Sequence, residues 1–188
     1  MSTLPLLDKP LSLDVLRSLG TTNGLYTVLF GWLLGMTIWQ PFFGATIAHR
    51  ALTKQSFAAL QHKTWPVYFQ LSTALSAACI YLLYHADPAV FDSLLALRAG
   101  GLLSVGSLLA VFVGQATNWL VLGPMTSRLL YERDRLEKGE KKGPETAEAV
   151  KAVMKRFLWI HGVSSIANLF AFFAVVAHAL YIGQAGPF

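Results

Sequence analysis

The sequence predicts an all-α fold: an integral membrane four-helix bundle whose third and fourth spans continue into a charged cytosolic helical hairpin. Three observations carry that prediction. Of the 188 residues, 54% are hydrophobic and only 13% are charged, about half the charge of an average soluble domain. The mean hydropathy is +0.50. The charges are clumped, leaving uncharged stretches of 32 residues after Arg17, 23 after Lys63, 29 after Arg98 and 32 after Arg156. A bilayer-spanning helix needs about 20 mostly apolar residues, and these stretches lack the polar stripe of a soluble amphipathic helix.

The same composition excludes several classes. Disordered chains are poor in apolar residues and rich in charge. Cys79 is the only cysteine, which excludes a disulfide scaffold and paired-cysteine zinc motifs. The net charge of +5 points to nucleic acid only if it forms a basic face on a soluble domain. Here the basic residues instead flank the apolar stretches.

Residues 1–20 read as an N-terminal interfacial or lumenal segment. Asp8 and Asp14 stand where a secretory signal carries positive charge, and Pro10 interrupts the apolar run. Ser12 is placed to cap a short amphipathic helix carrying Leu13, Val15, Leu16 and Leu19 at the interface. The alternative is a disordered tail. Residues 21–188 form the four-span domain.

Span one is expected near residues 24–48, with Gly31 and Gly35 forming a GxxxG pair for close helix packing and Pro41 kinking the helix. Span two, about 65–86, carries the small residues Ser72, Ala74, Ser76, Ala77 and Ala78. Span three, about 99–123, places Gly106, Ala110, Gly114 and Asn118 four apart along one side. Span four, about 157–183, spaces His161, Ser164, Asn168, Ala171 and His178 by three or four to seven residues, as a packing seam. Between spans three and four, Arg128–Lys138 continues the third helix, 138–143 turns, and Pro144 suits the first turn of the next helix.

Orientation follows from Lys and Arg. The 50–63 loop and the 128–156 segment hold 12 of the 15, against Lys9, Arg17 and Arg98 on the other side. By the positive-inside rule both termini are non-cytoplasmic and the hairpin is cytosolic. The basic surplus then faces anionic lipid heads rather than nucleic acid.

Inside the spans no acidic or basic residue sits at mid-depth, which argues against a strongly ion-coupled carrier and against two-carboxylate catalysis. Neutral polar residues remain. Gln40, Ser72, Asn118 and Ser165 all lie roughly 13–15 Å from the basic boundary, with Trp39, Gln70, Gln115 and Asn168 bracketing them. Such groups need partners in hydrocarbon, so Gln40, Gln115, Asn118, His161, Ser164, Ser165 and Asn168 are the expected polar cluster. Two readings stand: bundle glue, or a ligand pocket open to the cytosol. No catalytic residue, metal site or cofactor is expected. His161 and Ser164 share a helix with no acid to orient the histidine, and His49, His62, Met125 and His161 form no ligand motif. His178 reads as a snorkelling residue near the far interface, and Trp65, Tyr68, Tyr81, Tyr84, Trp119 and Trp159 as candidates for the interfacial aromatic belt.

Several strings carry a resemblance: Gly35-Met36-Thr37-Ile38-Trp39 with Gly44 and Arg50; Phe57, Gln61, Lys63 and Pro66-Val67-Tyr68-Phe69; Asn118, Pro124 and Thr126; and Phe157 followed by His161-Gly162-Val163-Ser164-Ser165 and Asn168-Leu169. Across roughly residues 31–170 the chain resembles the transmembrane protein 205-like family of eukaryotes, with a longer N-terminus and a different loop between spans three and four. The resemblance implies a small four-span protein of the endomembrane (ER or secretory) system or cell surface, with no established reaction and with Asn118, His161, Ser164 and Asn168 acting together. A mitochondrial membrane stays open as a location. The expected partners are membrane lipids, a protein on the cytosolic hairpin, and a second copy through the small-residue faces. The leading functional expectation is non-enzymatic lipid or partner binding; the alternative is a small-solute transporter using the polar layer.

Overall fold

The computed structural model describes residues 10–139 and 143–186; residues 1–9 of the N-terminal segment, part of the hairpin turn and the last two residues lie outside the described residues. Every regular element among them is helical. Ser12 caps α1 (Leu13–Ser18) as expected, its hydroxyl accepting from the Val15 amide at 3.3 Å. The four spans follow: α2 (Thr22–Ala51), α3 (Lys54–Ala86), α5 (Ala99–Lys138) and α6 (Pro144–Ala185), with a short α4 (Ala89–Leu95) between the second and third. Each is long and apolar enough to cross a bilayer. The 40 and 42 residues of α5 and α6 exceed what a bilayer core of ~30 Å requires. Their charged ends pack against each other as the expected hairpin, with Pro144 in the first turn of α6.

Neighbours in sequence are neighbours in space. The α2 helix packs on α3, α3 on α5 and α5 on α6, and α6 closes the ring against α2. Side chains from all four spans meet in the half of the bundle away from the hairpin: Tyr26, Phe30 and Leu33, then Leu75, Cys79 and Leu83, then Val105, Leu108 and Val111, then Ala171 and Val175. Large apolar residues such as Val28, Leu120, Phe170 and Leu180 stay exposed on the outside, as a lipid-facing surface requires.

Three wide π turns interrupt the spans, at Trp39–Gly44, Leu102–Gly106 and Asn118–Leu122. The first contains Pro41. Its missing N–H is absorbed by the wide turn, and the helix runs on to Ala51.

The α4 segment seats against the start of α5 at two glycines. A Cβ on Gly101 would fall 2.2 Å from the Leu94 amide nitrogen, and one on Gly106 would fall 3.0 Å from Leu94 Cδ1. The Gly101 amide donates to Ser93 Oγ at 3.1 Å, completing the corner. Before it, Leu97 takes a left-handed φ of 52°, strained for an L side chain. The expected packing at Gly106 is therefore present, and at Gly114 a Cβ would meet the Ala167 carbonyl oxygen at 3.5 Å.

Gly31 and Gly35 do not pack as expected. Both are exposed and a Cβ on either meets nothing within 4 Å. The buried face of α2 is the one carrying Tyr26, Phe30, Leu33 and Thr37, which turns the glycine pair outward.

Substitution Gly101→Val is expected to lower stability by about 1–3 kcal/mol, the usual cost of forcing atoms into a packed contact. Gly31→Val should leave it nearly unchanged. Thermal unfolding of both variants in one detergent distinguishes the two glycines.

Candidate functional site

Midway through the bundle, below the apolar core, lies a layer of buried polar side chains. Asn168 on α6 is its hub. Its Oδ1 accepts from the Tyr68 hydroxyl of α3 at 3.0 Å and from Gln115 Nε2 of α5 at 3.0 Å. One turn further along α5, Asn118 Nδ2 donates to the Ser164 carbonyl oxygen at 3.3 Å. Thr37 of α2 and Ser72 of α3 lie close to the Tyr68 hydroxyl. The Ser72 hydroxyl also approaches Met36 Sδ at 4.0 Å. Thr37, Ser72, Gln115 and Asn118 are fully buried. Every span thus contributes to one height, which the helical rise predicts.

Four of the seven expected cluster residues meet here: Gln115, Asn118 and Asn168 through their side chains, and Ser164 through its carbonyl. Three do not. His161 is exposed and stacks on Phe157 with ring centroids 5.6 Å apart. Ser165 is exposed, its hydroxyl returned to the His161 carbonyl at 2.8 Å. Gln40 is half-buried in the Pro41 π turn and makes no hydrogen bond to the layer. The reason on α6 is register: its inward seam runs through Val153, Ile160, Ser164, Asn168, Ala171, Val175 and His178. That seam steps from Ser164 back to Ile160 and leaves His161 to one side.

Two residues gain roles that the sequence reading missed. Tyr68, grouped with the interface aromatics, is buried in the layer. Its spacing signal was present, since Tyr68 and Ser72 lie four apart on one face. His178, read as snorkelling, is fully buried. Its Nε2 accepts from the Tyr26 hydroxyl across the bundle. Its Nδ1 faces the Ser104 carbonyl at 3.0 Å, the Leu103 carbonyl at 3.2 Å and Ser107 Oγ at 3.1 Å. The carbonyls only accept, so Nδ1 carries a proton and the ring connects α5 to α2. Phe30 packs edge-on to it at 4.8 Å.

A third feature sits where the hairpin leaves the apolar stretches. A groove of about 520 Å³ opens between α5 and α6. Met125, Leu129, Trp159 and Ile160 form its apolar wall, and Arg128, Lys155 and Arg156 rim it. Among the described residues none of these three cations has an ion-pair partner, whereas Arg133 nearby is paired with Asp134 and Glu137.

Residues 28–135 match the family described as Domain of unknown function (DUF4149). The chain belongs to the DUF4149 family. It is also similar to Transmembrane protein 205 of Danio rerio, at 24% identity over 176 residues covering 84% of this chain and 88% of the relative. No solved structure matches. The protein is thus a multi-pass membrane protein related to transmembrane protein 205, as the motifs implied. The DUF4149 match takes in Thr37, Tyr68, Ser72, Gln115 and Asn118 together with Arg128. The α6 partners Ser164, Asn168 and Arg156 lie beyond its last matched residue, so the layer and the groove each join the family's segment to span four.

Replacing Asn168 by Leu is expected to destabilise more than Tyr68→Phe. The first change strands two buried donors, at about 1–3 kcal/mol each. The second removes one bond of about 0.6–2 kcal/mol. Equal shifts in thermal unfolding would contradict Asn168 as the hub.

Proposed function

We propose that this protein is a non-enzymatic membrane protein that holds an anionic lipid headgroup at the cytosolic base of its hairpin. The carrying observation is the groove rimmed by Arg128, Lys155 and Arg156 and walled by Met125, Leu129, Trp159 and Ile160. Unpaired cations at the head-group level attract anionic lipids by about 1 kcal/mol each. The apolar wall of Met125, Leu129, Trp159 and Ile160 suits the start of an acyl chain beside that headgroup. Trp159 is 74% exposed beside the cations, at the depth where indole rings favour the interface.

The Lys and Arg asymmetry supports a cytosolic hairpin with non-cytoplasmic termini, and the family resemblance implies an endomembrane or the cell surface. The non-enzymatic reading is supported by the lack of Asp, Glu, Lys and Arg in the middle of the spans. The alternative, a small-solute transporter, draws less support. Its candidate path is the polar layer, where Tyr68, Gln115 and Asn168 bond to one another.

Lipid retention measured by native mass spectrometry from nanodiscs of mixed phosphatidylserine and phosphatidylcholine tests the reading. The wild type is expected to keep phosphatidylserine preferentially. Arg128→Gln with Arg156→Gln should weaken retention by about fivefold per cation, with thermal unfolding unchanged. No preference, or a preference that survives both changes, would overturn it. Photocrosslinking from the 128–156 hairpin in native membranes that yields protein adducts and no lipid adducts would also count against it.

A further inference from the structure

We infer that Gln115 and Asn118 form a binding site for a small neutral hydrogen-bond donor inside the membrane, with water as its resting occupant. Gln115 Oε1 and Asn118 Oδ1 are buried acceptors to which no described protein group donates. Both residues are fully buried. They lie three apart on α5, so their side chains are neighbours on one helical face.

The identity of the free atoms follows from the partners. Ser164 offers Asn118 a carbonyl oxygen, which only accepts, so the Asn118 amide nitrogen must face it and the oxygen is left over. Gln115 Nε2 donates to Asn168 Oδ1 at 3.0 Å, and the Gln115 oxygen is left over in turn. Two unanswered amide oxygens at mid-membrane are costly to leave without donors. A donor that reaches both removes that cost.

The chemistry limits the occupant. Neither oxygen carries charge, and the nearest titratable residues along the chain are Arg98, just before α5, and Arg128, each more than two turns away. With no carboxylate to neutralise it, a cation entering this layer keeps its full desolvation penalty. A neutral donor does not, and a water typically makes two to four such bonds. Asn118 opens the π turn Asn118–Leu122, and such turns recur where helices line functional sites. Water and a small polyol or amide share this donor chemistry.

Nuclear magnetic resonance on the full chain in lipid nanodiscs is the test, with magnetisation transfer read from water to the Gln115 and Asn118 side-chain amides. Transfer to both is expected at short mixing times. In Gln115→Met the transfer to Asn118 should fall by at least about twofold, because one of the two acceptors has gone. Adding glycerol or urea separates the sources: shifted amide signals extend the site to small solutes, and unshifted signals confine it to water. Absence of transfer in the wild type would overturn the site, as would transfer unchanged in Gln115→Met. Amide shifts on exchanging sodium for potassium would make it a cation site and overturn the neutral assignment. If Gln115→Met fails to fold, the wild-type transfer decides alone.

Discussion

The Asn168 side-chain oxygen, Oδ1, is the tie on which the middle of this bundle depends. It accepts from Tyr68 of α3 and Gln115 of α5 while standing on α6. In water three such side chains have solvent as an alternative. In hydrocarbon their partners must come from inside the bundle. Apolar surface gives little help at this depth, because lipid tails are as apolar as the side chains that face them. Directional bonds between helices therefore select one rotation and one height for each span, and Asn168 joins three of the four.

The bundle is layered by this logic. The half away from the hairpin is filled by interlocking apolar side chains. That core encloses His178, held between the Tyr26 hydroxyl and the carbonyls of the Leu102–Gly106 π turn. Each buried polar cluster borders a π turn of α5. A wide turn rotates the residues beyond it relative to an ideal helix. Ser104 and Ser107 lie against His178, and Asn118 lies against Ser164. Towards the hairpin the helices carry more charge, and there the cationic groove opens. Apolar core, polar tie and charged mouth follow one another along the bundle axis.

Much of this was legible in the chain. Four uncharged stretches, a single charged hairpin and polar residues at one depth are statements about position along a helix, and helical rise converts position directly into height. Gln115, Asn118 and Asn168 were found that way, and Ser164 by its spacing on span four. Angular position was harder. A residue three or four places from a buried one is inside or outside depending on a shift of some tens of degrees. Ile160 took the place expected of His161, and the Pro41 turn kept Gln40 out of the layer. The pair Gly31 and Gly35 had the right spacing for packing but sat on the face opposite Tyr26 and Phe30.

What the sequence by itself determined was therefore the membrane, the number of spans, the hairpin and the depth of the polar groups, because charge scarcity and the 1.5 Å rise act locally along the chain. The tertiary structure decided which polar groups touch, which histidine is buried and which cations rim a groove. Those outcomes depend on helix rotation and on π turns, set by packing among spans far apart in sequence. Tyr68 and Asn168, separated by 100 residues, meet for a reason that neither residue's neighbours contain.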